Sequence, residues 1–248
     1  MTTVLKLGGS VITDKSEPET VASDQLETLI VTLATEAQTE QLVLVHGGGS
    51  FGHYHADKHE ITPTDGERDA EDIFAVHDAM CRLNRHVIDI CHDHGLPALP
   101  VAPLSNATRD SDGDLTIQTA VIEQLLTEGF IPVLFGDVVS QVSAGATILS
   151  GDEIVTSLAS SLEADRVGLC STEPGVYDRQ QNVINKITAY EPIKDAVGSA
   201  EQTDVTGGMA MKVRSLLDLE TNSHIFDSSQ LADFLQGQSV GTTICTEQ

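Results

Sequence analysis

The sequence is poor in basic and aromatic residues. Its 248 residues include only 13 Lys and Arg against 38 Asp and Glu, so the formal net charge is −25, and Trp is absent. A chain with so few cations is repelled by the phosphates of nucleic acids and by anionic membrane surfaces. We therefore predict a protein that binds no nucleic acid and no membrane.

Long apolar runs and paired cysteines are also missing. No apolar run reaches the 18 residues typical of a membrane span, and the N-terminus has no apolar segment followed by a cleavage site. The four cysteines are scattered, without a C-x-x-C pair. Such cysteines favour reduced thiols over a disulfide framework or a zinc site. We expect a cytoplasmic protein.

The acidic residues are spread along the whole chain instead of forming a tail. They indicate either a solubilising surface or adaptation to high salt, in which dissolved ions screen the self-repulsion. We expect the second, because only six lysines remain. Three of them, Lys6, Lys15 and Lys212, lie in or beside glycine-rich segments. A protein this acidic that binds an acidic ligand must keep its cations at the site.

Apolar runs that end at glycines alternate with segments of helical periodicity. This alternation predicts an α/β fold with a mainly parallel sheet, in which ligands lie beyond the carboxyl ends of the strands. The predicted strands are 3–7, 42–45, 99–101, 130–135, 166–169 and 223–226, with a hairpin over 138–149 and a last edge strand over 241–246. The predicted helices are 24–37, 70–94, 116–127, 152–162 and 207–219.

Four glycine-bearing segments each follow a strand and open a helix or a turn. They are residues 6–10 (KLGGS), 46–53 (HGGGSFGH), 149–152 (LSGD) and 206–212 (TGGMAMK). Glycine lets a ligand approach the backbone closely, and N–H groups at a helix N-terminus bind phosphate oxygens. One such loop can be an ordinary tight turn, whereas four indicate phosphate chemistry. None matches the P-loop, the dinucleotide fingerprint or the protein kinase motifs.

The segment at residues 6–10 resembles the opening motif of the amino-acid-kinase superfamily, and the order of the four segments resembles that family over essentially the whole chain. Residues 171–178 (STEPGVYD) are similar to its nucleotide-side segment, although Glu-Pro stands where the family often has Val-Asp. Three features resemble the isopentenyl phosphate kinase branch: residues 9–15 (GSVITDK), His53, and residues 135–139 (FGDVV).

This resemblance implies a three-layer αβα sandwich and ATP-dependent phosphorylation of isopentenyl phosphate to isopentenyl diphosphate. It implies ATP and Mg²⁺ as cofactors, with the metal held mostly by the nucleotide and no protein ligand assigned, and a homodimer. We expect a single domain, residues 1–248, in which residues 1–150 bind the small-molecule acceptor and residues 151–248 bind the nucleotide. Two alternatives are a sister kinase acting on a carboxylate, a phosphonate or a nucleoside monophosphate, and a non-catalytic sensor.

Four residues would carry catalysis according to the resemblance: Lys6, Lys15, His53 and Asp152. Lys6 would contact the transferring phosphoryl group, and Lys15 would stabilise the transition state or hold the ATP phosphates. His53 would donate a hydrogen bond to the acceptor's phosphate, and Asp152 would orient Lys6 and Lys212. The residues alone also allow plainer interpretations: solvent-reaching lysines, a surface histidine, and an acid that stabilises a helix N-terminus.

Binding roles follow from the same resemblance. Contacts to ATP are expected from Lys6, Gly8, Gly9, Ser10, Gly49, Thr172, Gly207, Gly208 and Lys212. Contacts to the acceptor are expected from Gly48, Gly49, Gly52, His53 and Gly151. The acceptor's tail would meet Ile73, Phe74, Val76 or Met80. These four are equally good core residues, and a core position is the favoured interpretation. A metal site at His53, His55 and His59 is disfavoured, because no Cys or carboxylate completes it.

Overall fold

The computed structural model describes residues 1–36, 41–194 and 208–246. Its helices are α1 (Gly9–Ile12), α2 (Ser23–Glu36), α3 (Gly49–Lys58), α4 (Ala70–Asp93), α5 (Pro103–Asn106), α6 (Ala120–Thr127), α7 (Gly151–Ser161), α8 (Gly208–Leu217) and α9 (Leu231–Leu235). Two 3₁₀ turns lie at Glu191–Ile193 and Ser228–Gln230. Within these ranges, no helix combines the length and the apolar character needed to cross a bilayer.

The strands form two sheets. In spatial order, the larger sheet consists of β10 (Lys186–Ile187), β12 (Thr242–Ile244), β11 (Ser223–Asp227), β9 (Arg166–Ser171), β1 (Thr2–Leu7), β2 (Gln41–His46), β6 (Ile131–Phe135) and β3 (Ala98–Pro100). Its pairs are parallel except for β11 with β12. The smaller sheet consists of β5 (Leu115–Ile117), β4 (Ala107–Arg109), β7 (Asp137–Gln141) and β8 (Gly145–Leu149).

Helices cover both faces of the larger sheet, so the predicted three-layer α/β architecture is confirmed. Strand β1 lies in the middle and is apolar on both faces, as expected for a central parallel strand. Val4 packs in the layer formed with α6, α7 and α8, whereas Leu5 and Leu7 pack in the layer formed with α2, α4 and α9. Since side chains alternate along a strand, Lys6 lies on the face of Val4, the face covered by α7.

Most predicted elements are confirmed with shifts of one or two residues, but the prediction for residues 116–127 is partly wrong. Residues 115–117 form β5, which pairs with β4, and α6 begins only at Ala120. The three residues of β5 alternate between buried and exposed positions too briefly to be recognised as a strand.

The predicted last strand, residues 241–246, corresponds to β12, and its position in the sheet differs from the prediction. Strand β12 is not an edge strand, because it lies between β10 and β11 and is paired on both sides. The edge is β10, which has two residues and was not predicted. The predicted helices 24–37 and 207–219 each include one residue outside the described ranges, namely residue 37 and residue 207.

Candidate functional site

Three glycine-bearing loops meet at the carboxyl ends of β1, β2 and β6. Gly9 follows β1, Gly49 follows β2, and Gly136 follows β6. Parallel neighbouring strands end at the same edge of the sheet, so these loops are brought together. The loops after β1 and β2 touch backbone to backbone: a Cβ on Gly9 would lie 2.2 Å from the Gly49 nitrogen. Gly49 itself has a φ of 49°, which side chains disfavour. Only glycine fits both positions.

The loops line one cleft, whose volume including its open mouth is about 1020 Å³. Residues far apart in sequence meet there, from the first strand to α8. The predicted site residues on its wall are Lys6, Gly8, Gly9, Ser10, Lys15, Gly48, Gly49, Gly52, His53, Gly151, Asp152 and Lys212.

Three predicted ATP contacts are not part of the described wall. Gly208 is buried at the start of α8, directly before Met209, which does line the cleft. Thr172 is exposed and follows Ser171, which lines the cleft. Gly207 lies outside the described residues. The contacts of these three residues with ATP stay predictions.

Lys6 and Asp152 form an ion pair in the floor of the cleft. The Lys6 Nζ lies 2.6 Å from the Asp152 Oδ1, and the two side chains are 10% and 15% exposed. Burial raises the pKa of the Asp152 carboxyl, but the charges of Lys6 and Lys212 and the hydrogen bond from Lys6 outweigh it and hold that pKa below its usual value. Asp152 is therefore an ionised carboxylate between two lysines at neutral pH.

The N-terminus of α7 does not depend on the Asp152 side chain for its cap. Ser150 accepts a hydrogen bond from the Glu153 N–H, and the Glu153 carboxylate accepts one from the Ser150 N–H, which completes a capping box. A further ion pair joins Glu153 to the buried Arg109 of β4, at 2.6 Å. The Asp152 carboxylate is thus available to hold Lys6.

His53 lies within α3, which begins at Gly49, and its side chain is half-buried on the cleft wall. The helix packs closely on α4: a Cβ on Gly52 would lie 2.9 Å from the Met80 Sδ. Gly52 therefore brings His53 and α4 to the same wall.

Lys15 is exposed in a loop that is fastened at its base and at its far end. An antiparallel bridge pairs Thr13 with Val21 at the base. At the far end, the Glu19 carboxylate accepts hydrogen bonds from Arg82 of α4, at 2.7 Å, and from His55 of α3. These contacts hold the Lys15 loop against the two helices that line the cleft.

Asp137 is a cleft residue for which the sequence predicted no role. Its buried carboxylate lies 2.9 Å and 3.0 Å from the His77 Nδ1 and accepts hydrogen bonds from the N–H groups of Val138 and Leu104. Burial raises the pKa of Asp137, and the hydrogen bond to Asp137 raises the pKa of His77. The pair fastens α4 to the start of β7. An acid directly after an apolar strand and a glycine was the available signal.

One end of the cleft is apolar. It is lined by Ala56, Val76, Met80 and Ile148. Of the four candidates for a tail pocket, Val76 and Met80 lie there. Ile73 packs against an apolar cluster that contains Val76. Phe74 is 63% exposed, so the prediction that Phe74 lies in a pocket or in the core is wrong.

Two of the three histidines considered for a metal site, His55 and His59, each contact a carboxylate. His55 contacts Glu19, and His59 Nδ1 lies 2.6 Å from Asp72. In the part of the chain that the structure describes, no group of three or more His, Cys, Asp or Glu side chains has an arrangement that could hold a metal ion.

The sequence and the fold are similar to those of known proteins. The profile of the Amino acid kinase family matches residues 1–226. Isopentenyl phosphate kinase of Haloferax volcanii is 53% identical over 241 residues, 97% of each chain, and that of Methanocaldococcus jannaschii is 31% identical over 261 residues, 98% of each. An X-ray structure of isopentenyl phosphate kinase has a TM-score of 0.84 and 27% identity, covering 98% of this chain and 100% of the other. The chain belongs to the amino acid kinase family, and within it to the isopentenyl phosphate kinases.

Proposed function

We propose that this enzyme transfers the γ-phosphoryl group of ATP to isopentenyl phosphate and so forms isopentenyl diphosphate. A terminal phosphate oxygen of the acceptor would form a bond to the γ-phosphorus, and the bond from that phosphorus to the β,γ-bridging oxygen would break, releasing ADP. The observation that carries the proposal is the Lys6–Asp152–Lys212 charge cluster at the floor of a cleft with glycine loops.

The charge cluster fits the needs of this reaction. Phosphoryl transfer depends on charge stabilisation and positioning more than on covalent help. Asp152 holds the Lys6 ammonium at one place in the floor, so little reorganisation is needed when charge develops on the phosphoryl group. Lys212 would hold the β- and γ-phosphates from α8, and Lys15 would approach from its fastened loop.

The glycine loops fit the phosphates of ATP, since Gly9 and Gly49 line the cleft and glycine lets a ligand approach the backbone closely. Mg²⁺, when bound, would neutralise the β- and γ-oxygens. We propose that it arrives with the nucleotide and takes most of its ligands from it, because the two acids on the described cleft wall, Asp152 and Asp137, are already engaged by Lys6 and His77.

The acceptor would lie at the apolar end of the cleft. His53 would donate a hydrogen bond to its phosphate, and the wall formed by Val76, Met80 and Ile148 fits a short branched hydrocarbon. These groups come from residues 1–150 and Lys212 comes from the remainder, which supports the proposed division into an acceptor half and a nucleotide half. A carboxylate or nucleotide acceptor would gain little from this apolar wall.

The first test is an ADP-release assay in high salt with Mg²⁺, comparing isopentenyl phosphate, dimethylallyl phosphate, glutamate and UMP. We expect release with isopentenyl phosphate, accompanied by a diphosphate product detected by mass spectrometry. Release with glutamate or UMP alone would assign the cleft to another acceptor. Absence of release with all four, in protein that binds ATP, would favour the sensor.

We propose that the enzyme is adapted to high salt, because its net charge is −25. At about 0.1 M salt the Debye length is about 10 Å, so surface acids repel one another, whereas at about 1 M it falls to about 3 Å. We expect the free energy of unfolding and the activity to rise steeply with KCl. Thermal unfolding from about 0.1 M to about 2 M KCl measures this effect.

A charge-reduced variant provides the control for that experiment. Glu60, Glu123 and Glu163 are exposed and lie outside the cleft wall. Replacing all three by Gln should lower the KCl concentration needed for a given melting temperature, while general salting-out would affect both proteins equally. If the charge-reduced variant and the wild type had the same melting temperature in dilute buffer, that result would contradict the adaptation to high salt.

We further propose that the enzyme is a cytoplasmic homodimer. The superfamily resemblance supports a dimer, and Phe74, 63% exposed on α4, offers an apolar contact. The four cysteines are free thiols, which is compatible with a reducing compartment. Light scattering of the purified protein in high salt would reject the dimer if it gave the mass of one chain.

A further inference from the structure

His46 is a buried histidine directly beneath the glycine loop that follows β2. Its side chain is fully buried and stacks on Phe135, with ring centroids 5.5 Å apart. The ring Nδ1 lies 3.1 Å from the Gly47 carbonyl oxygen, and the ring Nε2 lies 3.2 Å from the amide oxygen of Asn84 on α4. Lys6, Asp152 and His53 carry the proposed reaction without using this group.

A neutral imidazole cannot donate to both of these oxygens, because it carries only one N–H. Burial lowers the pKa of His46 to about 4, so the ring is neutral at neutral pH. The preceding peptide, which joins His46 to Gly47, is held by two hydrogen bonds of 3.0 Å: the Gly47 N–H donates to Leu7 O, and the Gly136 N–H donates to His46 O. The Gly47 carbonyl oxygen can only accept a hydrogen bond. The Asn84 amide, in contrast, exchanges its oxygen and nitrogen by a half-turn.

The proton therefore belongs on Nδ1, where it is donated to the Gly47 carbonyl. The Asn84 amide nitrogen then donates to Nε2. This arrangement satisfies the ring and the carbonyl together, whereas a proton on Nε2 would place the Nδ1 lone pair against the Gly47 oxygen. Burying the polar atoms of His46 and Asn84 costs free energy unless each of them has a hydrogen-bond partner.

The hydrogen bond controls the peptide group that joins Gly47 to Gly48. In a trans peptide the C=O and N–H point in opposite directions, so holding the Gly47 carbonyl toward His46 turns the Gly48 N–H away from the ring. Gly48 lines the cleft and precedes α3. Because glycine has wide conformational freedom, a glycine peptide needs an outside contact to keep one orientation.

We propose that His46 is a positioning residue whose Nδ1–H holds the Gly47 carbonyl and so directs the Gly48 N–H at the acceptor's phosphate. Packing alone does not call for this pair, since a phenylalanine could also stack on Phe135. The inference rests on the proposed function, because it requires a phosphate at Gly48.

Nitrogen NMR of the ¹⁵N-histidine-labelled wild-type protein tests the tautomer without any activity. At neutral pH we expect a protonated Nδ1 and an unprotonated Nε2 for His46, assigned by the loss of its signals in the His46→Asn variant. A proton on Nε2, or on both nitrogens, would overturn the proposal. This result stands even if isopentenyl phosphate proves not to be the acceptor.

Kinetics of two variants test the consequence. His46→Phe keeps a stacking ring but loses the donor, and we expect kcat/KM for isopentenyl phosphate to fall about 10²-fold, as for a small misplacement of a reacting group. The KM for the acceptor should rise, while the KM for ATP stays unchanged. In His46→Asn the amide nitrogen can take the place of Nδ1, so kcat/KM should recover to within about threefold of wild type, less than 1 kcal/mol.

Two controls separate positioning from folding. A smaller folded fraction would lower kcat with both KM values unchanged, and circular dichroism would report it. In His46→Phe the buried Asn84 amide loses its ring partner. The double variant His46→Phe/Asn84→Leu also removes that amide, but it still lacks the Nδ1 donor, so its activity should stay low. Three outcomes would refute the role of the donor. They are a recovered kcat/KM in the double variant, a wild-type kcat/KM in His46→Phe, and an equal loss of kcat/KM in His46→Asn and in a folded His46→Phe.

Discussion

Replacing Lys6 by Met is expected to lower kcat about 10³-fold while the protein remains folded. Lys6 is the cation in the floor of the cleft, and its Nζ is held 2.6 Å from Asp152. Methionine suits the apolar second half of β1, from Val4 to Leu7, and has a similar length, so the change removes the charge with little change in packing. Steady-state kinetics at saturating ATP and acceptor, together with thermal unfolding, measure the two effects separately.

The companion variant Asp152→Asn keeps Lys6 but removes the group that orients it. We expect a smaller loss of kcat than in Lys6→Met, because the charge remains while its position is no longer fixed. Lys6→Met with kcat within about tenfold of wild type would remove Lys6 from the transition state. Loss of kcat in both variants accompanied by unfolding would instead make the ion pair structural.

The same ion pair should be visible in the acid stability of the protein. The folded-state pKa of Asp152 lies below its ordinary value of 3.8. A depressed pKa contributes stability that is present above the unfolded-state value and is lost as the pH falls through the folded-state value. Lys6→Met removes one of the two neighbouring cations, so the free energy of unfolding should depend less on pH below about pH 4.

Much of the site could be predicted from the sequence, because its loops are local signals. Glycines after apolar strands mark turns that meet at one edge of a parallel sheet, and Lys6, Asp152 and Lys212 stand at fixed offsets within such turns. The geometry brings Lys6 and Asp152 together although they are 146 residues apart, since β1 and α7 pack on each other.

The rest of the site depends on contacts between distant residues that no local pattern encodes. His77 and Asp137 read separately as a helix residue and a loop acid, and His46 and Asn84 read as a strand end and a helix residue. Each pair exists only because α4 passes the end of β2 and the start of β7. The two-residue strand β10 is equally invisible, since its partner among the described strands is β12, more than 50 residues later.

Replacing His53 by Ala is expected to lower kcat/KM for isopentenyl phosphate about 10²-fold or more, as for the loss of one hydrogen-bond donor at a developing charge. His53 lies on the cleft wall between the glycine loop and the apolar end, where the acceptor's phosphate must lie if its hydrocarbon contacts Val76 and Met80. The measurement is initial-rate kinetics with each substrate varied in turn. The KM for ATP should change little, because the proposed contact is with the acceptor.

Two matched variants make the His53 result specific. His53→Gln retains an N–H donor and should recover part of the lost rate, whereas His86→Ala removes an exposed histidine of α4 outside the cleft wall and should behave as wild type. An unchanged kcat/KM in His53→Ala would reject the hydrogen bond to the acceptor. An equal loss with His53→Gln would show that the imidazole contributes more than a donor, and the pH dependence of kcat/KM would then show whether its positive charge is required.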